Sequence, residues 1–136
     1  MKDSFKSEIL VVDDDAAVRD SVAMVLRTAG YNVSSAEHGF DALLQMKSTL
    51  PAIVLSDLNM PQMSGFEFLS VVRQRFPQVS VIAMSGAYHS GEAVPSEMIA
   101  DAFYSKGQSS PEALLSMVAE LCRAKRGTLF EERRAR

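Results

Sequence analysis

Two apolar runs of strand length each end in acid. Ile9-Leu10-Val11-Val12 runs into Asp13 and Asp14, and Ala52-Ile53-Val54-Leu55-Ser56 runs into Asp57. Unbroken aliphatic and β-branched runs of this kind belong to strands covered on both faces, the situation of a parallel sheet. Strands closed by carboxylate put like charges side by side once the sheet forms. Such a gathering needs a cation to hold it together.

The rest of the chain alternates strand-length runs with segments of helical period, which argues for βα units. The first strand spans Glu8–Val12; Val18, Val22, Val25, Leu26 and Ala29 then recur at three- and four-residue spacing, with Asp15 placed as N-cap and Gly30 as stop. A weaker strand is expected over 31–35 and a short helix through Phe40, Leu43, Leu44 and Lys47, ended by Pro51. The clearest strand is 52–56. After it comes a helix with Phe66, Leu69, Val72 and Phe76 inside, ended by Pro77. Residues 79–84 and Ala102–Ser105 complete five strands. The last helix starts at Ser110-Pro111 and turns Leu114, Leu115, Val118, Leu121 and Cys122 inward. Residues 86–94 are rich in breakers, and Pro95 leaves about two turns of possible helix before Asp101, so a long loop and a shortened or irregular fourth helix are expected there. From Arg123 the chain turns basic and loses its apolar period, and residues 127–136 read as a flexible tail.

A chain of 136 residues with 47% hydrophobic and 23% charged composition is one globular domain, here set at 7–126. Net charge of −3 gives no reason to expect direct nucleic-acid binding. The N-terminus lacks a signal-type apolar segment, no run is long enough to cross a bilayer, and the single Cys122 cannot form an internal disulfide. Those three features predict a cytoplasmic protein without membrane contact.

Asp13, Asp14, Asp57, Ser85 and Lys106 all fall at carboxyl ends of expected strands, where open α/β sheets collect their ligands. If the first and third strands are neighbours, their ends lie about 5 Å apart and the carboxylates converge. Mg2+, a hard ion that takes a few carboxylates plus water and phosphate, is the expected occupant. A carboxylate can also attack phosphorus, with Lys106 and Mg2+ neutralising charge and Ser85 donating a hydrogen bond. His38 and His89 have no partner at metal-ligand spacing and read as lone surface histidines; Cys122 reads as a small core residue.

Ile-Leu-Val-Val-Asp-Asp-Asp (9–15), Ile-Val-Leu-Ser-Asp-Leu-Asn-Met-Pro-Gln-Met-Ser-Gly (53–65), Met-Ser-Gly (84–86) and Phe-Tyr-Ser-Lys (103–106) resemble the receiver domains of two-component response regulators. The resemblance spans residues 7–125. It implies a flavodoxin-like (βα)5 fold, a five-stranded parallel sheet of order 2-1-3-4-5. It implies Asp57 as phosphoacceptor, with Mg2+ held by Asp13, Asp14, Asp57 and the Asn59 main-chain carbonyl. Ser85 and Phe103 match the switch pair, and Lys106 the lysine that ion-pairs with the phosphoryl group. The implied donor is a histidine kinase or histidine phosphotransfer protein. The domain catalyses only its own phosphorylation and dephosphorylation, and acts on an unnamed downstream protein as a monomer or weak homodimer. Gly107 stands where the family usually has proline, and Gly86 where alanine is common.

Two rivals remain. A phosphorylation-independent interaction module on the same fold would not need the full set of five site groups. A haloacid-dehalogenase-like phosphatase needs a nucleophile and an acid–base Asp two residues apart, a spacing Asp13 and Asp15 meet, but it leaves the Asp57 loop unexplained.

Overall fold

A computed structural model describes residues 7–60, 63–85, 100–107 and 110–135. In chain order the elements are β1 (Glu8–Val12), α1 (Ala16–Thr28), β2 (Asn32–Ala36), α2 (Gly39–Ser48), β3 (Ile53–Asp57), α3 (Gly65–Arg75), β4 (Ser80–Ser85), β5 (Ala102–Ser105) and α4 (Pro111–Ala135). The strands form one sheet in the order β2-β1-β3-β4-β5, with every pairing parallel. This is the flavodoxin-like arrangement the sequence implied.

Alternation along the strands builds two cores. Leu10, Val12, Val54, Val81 and Ala83 face α2 and α3, meeting Ala42, Met46, Phe68, Leu69 and Val72. Ile9, Val11, Ile53, Leu55, Ile82 and Met84 face α1 and α4, meeting Val22, Leu26, Leu114, Val118 and Cys122. β3 is buried along its whole length, as its unbroken apolar run required.

The helix ends follow local chemistry. Asp15 caps α1, its carboxylate accepting from the Ala17 and Val18 N–H groups. Ser64 and Glu67 form a reciprocal capping box on α3. Ser110 caps α4 through Ala113 N–H. Gly30 takes the left-handed conformation, φ +103°, that ends α1 and turns the chain into β2.

Several sequence readings need correction. The second strand begins at Asn32 rather than 31, and the third extends one residue to include Asp57. For α2 the sequence reading assigned no inner face; its buried residues are Gly39, Ala42 and Met46, and Phe40 and Leu44 are exposed. In α3 the fully buried aromatic is Phe68, which the expected inner face omitted; the Phe66 side chain lies outside the description. Residues 127–136 were set apart as a flexible tail, but α4 runs without a break through them to Ala135. Arg, Lys, Leu, Glu and Ala are strong helix formers, and loss of apolar period removes a packing face without removing that backbone preference. The expected shortened helix falls in 86–99, outside the described residues, as do Gly86 and His89. Among the described residues no helix is long and apolar enough to cross a membrane.

Candidate functional site

The β1–α1 turn consists of Asp13, Asp14 and Asp15, and it is held from several sides. Asp13 N–H donates to the Ala36 carbonyl at 3.2 Å, which continues the β1–β2 pairing one residue past the strand. The Asp13 carboxylate is fully buried, with Oδ1 accepting from Asp15 N–H at 2.9 Å. Asp14 is exposed. Asp15, the other acid in the dehalogenase spacing, has its carboxylate committed to the cap of α1.

Across the sheet, β3 delivers Asp57 beside this turn because β1 and β3 pair directly, Val12 opposite Ser56. Asp57 is 4% exposed. Asn59 N–H donates to Asp57 Oδ1 at 3.3 Å, and Leu58 N–H to the Met84 carbonyl at 2.9 Å, so the loop after Asp57 folds tightly back on the sheet. Gly65 permits that fold. A Cβ placed there would lie 2.2 Å from the Asp57 carbonyl oxygen and 2.4 Å from Leu58 Cα. The glycine lets the start of α3 touch the Asp57 backbone.

β4 and β5 supply the remaining groups. Ser85 is buried at the end of β4 opposite Ser105, and its carbonyl accepts from Lys106 N–H at 3.0 Å. Lys106 Nζ donates to Asp13 Oδ2 at 3.0 Å and lies 3.3 Å from Asp57 Oδ1. One ammonium thus ties together two buried carboxylates from separate strands. Gly107 follows at φ +82°, a backbone value that proline cannot take, so the family-typical residue would not fit this turn. Phe103 sits on β5, half-buried against the α2/α3-side core.

Burial pushes the Asp57 carboxyl above the ordinary carboxylate value, and the Asp13 charge adds to this; Lys106 and the Asn59 N–H pull the other way without cancelling it. Burial alone would lower the Lys106 ammonium, but its hydrogen bond and charge interaction with Asp13, then with Asp57, outweigh that and raise it. Three carboxylates thus gather beside one ammonium in this pocket.

The donor set suits a divalent ion. One carboxylate oxygen from each of Asp13, Asp14 and Asp57 lies within 4.8 Å of the others. All are hard oxygen donors, and that span suits a Mg2+ shell in which some carboxylates bind directly and others through water.

Sequence reasoning missed two residues here. Arg19 donates from Nη1 to the Asp13 carbonyl at 2.8 Å. Its signal was its place four residues after the capping Asp15, since helical side chains lean back over the preceding turn. His38, read as a lone surface histidine, is the N-cap of α2: its Nδ1 accepts from Asp41 N–H at 3.2 Å. The first residue of that helix, Gly39, approaches Met63 in the loop between β3 and α3.

Comparison with known proteins gives a consistent picture. Residues 9–119 match the family described as response regulator receiver domain. Response regulator Rre1 of Synechocystis sp. is 33% identical over 117 residues, covering 83% of this chain and 50% of that protein. The chain thus spans about half the length of that curated relative. A response regulator receiver domain protein (CheY-like) from Methanospirillum hungatei JF-1 superposes with a TM-score of 0.82 at 28% identity, covering 90% of this chain and 98% of that one. Response regulator protein TrrA from Thermotoga maritima, solved in complex with Mg2+–BeF, gives 0.76 at 30% identity, covering 84% and 97%.

Proposed function

Because this chain belongs to the response regulator receiver domain family, we propose that it is a phosphoacceptor switch which takes a phosphoryl group on Asp57. The observation that carries the reading is the convergence of Asp13, Asp14 and Asp57 on one spot, with Lys106 bonded to the two buried members. No packing role calls for three carboxylates and an ammonium gathered from the ends of β1, β3 and β5. The phosphatase rival loses its acid–base group to the cap of α1.

We take Oδ2 as the attacking atom of Asp57, because the Asn59 N–H and the Lys106 ammonium both engage Oδ1. Oδ2 forms a bond to phosphorus as the phosphorus–nitrogen bond of a phosphohistidine breaks, and the electron pair leaves on the imidazole nitrogen. Lys106 faces the transferring oxygens and neutralises charge there, with the Ser85 hydroxyl donating to one of them. Asp13, Asp14, Asp57 and the Asn59 carbonyl would hold Mg2+, which supplies further charge neutralisation when bound.

The donor class is a histidine kinase or histidine phosphotransfer protein in the cytoplasm. The domain catalyses only its own phosphorylation and later hydrolysis. The new charge beside Lys106 and Ser85 biases Phe103 and the face around β5, to which an effector protein responds.

The test is incubation with acetyl phosphate and Mg2+ followed by intact mass, with EDTA and Asp57→Asn samples alongside. A single Mg2+-dependent phosphoryl increment, absent from the variant, is expected. A folded, Mg2+-binding protein that takes no phosphoryl group from acetyl phosphate or from a phosphohistidine donor would refute the reading and leave the phosphorylation-independent docking module in its place.

A further inference from the structure

The three acids of the β1–α1 turn differ in how they are held. Asp13 is fixed through its N–H, its Oδ1 and its Oδ2, and Asp15 through the helix cap. Asp14, between them, is exposed. Its direction depends on the peptide unit that joins it to Asp13, and the oxygen of that unit is the Asp13 carbonyl. β1 pairs with both β2 and β3 only as far as Val12, so that oxygen lies beyond the two ladders, where a side chain can reach it. Arg19 does, at 2.8 Å. The same residue's N–H donates to the Asp15 carbonyl at 2.9 Å, so Arg19 grips the turn on both sides of Asp14.

We propose that Arg19 is a positioning residue for the divalent ion: by holding the Asp13 carbonyl it fixes the Asp13–Asp14 peptide and aims the Asp14 carboxylate at the site formed with Asp13 and Asp57. The inference rests on the Mg2+ reading above. The alternative role, compensation of the turn's three negative charges, has the opposite sign. A guanidinium beside a cation site repels the cation, so a merely compensating arginine would, once removed, leave Mg2+ bound more tightly. A positioning arginine, once removed, leaves it bound more weakly, because groups that orient metal ligands typically carry about 10- to 100-fold in affinity.

The experiment is calorimetric titration of Mg2+ into the wild-type chain, Arg19→Met and Arg19→Lys. The temperature is one at which circular dichroism shows all three folded. Arg19→Met is expected to weaken Mg2+ binding roughly tenfold, with Arg19→Lys, which keeps the charge and one donor, in between. Acetyl phosphate uptake by Arg19→Met should return close to the wild-type rate at saturating Mg2+, which a general structural defect would not allow. Equal or tighter Mg2+ binding by folded Arg19→Met overturns the proposal. If Arg19→Met does not fold, Arg19→Lys decides: weaker binding than wild type supports positioning, and unchanged binding overturns it. A wild-type chain that takes up no Mg2+ removes the metal reading itself, and the inference with it.

Discussion

Gly39 and Gly65 both stand at the first position of a helix, α2 and α3 respectively, yet the same substitution should affect them very differently. Replacing either by alanine gains helix propensity of up to about 1 kcal/mol, so that effect cancels between them. The space does not. At Gly39 the new methyl meets Met63 Sδ at 2.6 Å and two Phe68 atoms at 3.3 Å, and the nearest of these is the end of a flexible side chain that can swing away. At Gly65 it meets the Asp57 carbonyl oxygen at 2.2 Å and Leu58 Cα at 2.4 Å, both main chain and both about 1 Å inside ordinary contact. The backbone must move, at an overpacking cost of roughly 1–3 kcal/mol beyond any propensity gain. Gly65→Ala should therefore lose about 2 kcal/mol, or roughly 4–8 °C in Tm for a domain of this size, while Gly39→Ala stays within about 1 kcal/mol of wild type. The Gly65 clash also falls on Asp57, the proposed acceptor, and a 1 Å misplacement can cost about 100-fold in rate. Urea denaturation of both variants, with the initial rate of phosphoryl uptake from acetyl phosphate, checks this. Equal stabilities for the two variants, with normal uptake by Gly65→Ala, would refute the argument.

The site makes further predictions. Asp57→Asn should stabilise the metal-free protein at pH 7. Between the ordinary value of 3.8 and the raised folded one, the folded state keeps a proton the unfolded chain has lost. Wild-type stability therefore falls as pH rises through that window, and the asparagine variant lacks this slope, so thermal melts should show the gap closing below about pH 3.8. Lys106→Met strands the fully buried Asp13 without its ammonium and should cost about 3 kcal/mol in EDTA. Added Mg2+ should then raise its Tm more than the wild type's, and equal melts in EDTA would contradict the pairing. Asp101→Ala removes an acceptor used by both Val81 N–H and the Arg73 guanidinium, so urea denaturation should show a loss of about 1–2 kcal/mol. Arg73→Ala breaks only the solvent-facing half of that contact and should cost under about 1 kcal/mol.

What the sequence disclosed and what it concealed divide along a physical line. Strand–acid boundaries were legible because a strand buried on both faces admits almost nothing but aliphatic residues, so the first charge after Val12 or Ser56 marks where the sheet stops. Caps were legible at Asp15 and Ser110, where a short oxygen-bearing side chain precedes an apolar period. His38 performs the same service for α2 with a ring nitrogen, outside the usual capping residues, and so escaped notice. Phe66 stands three residues before Leu69 and Phe68 four before Val72, so helical spacing allows either, and only the packing of α3 on the sheet shows Phe68 inside. α4 continues past the apolar period of its sequence, because an apolar period and backbone helix preference are separate causes that usually coincide. Arg19 was the hardest to see: its role depends on a carbonyl oxygen, which a sequence does not distinguish from any other. The groups that do chemistry were conspicuous as charges gathered at strand ends, whereas those that aim them act on the main chain and become visible only when the turn they hold is built.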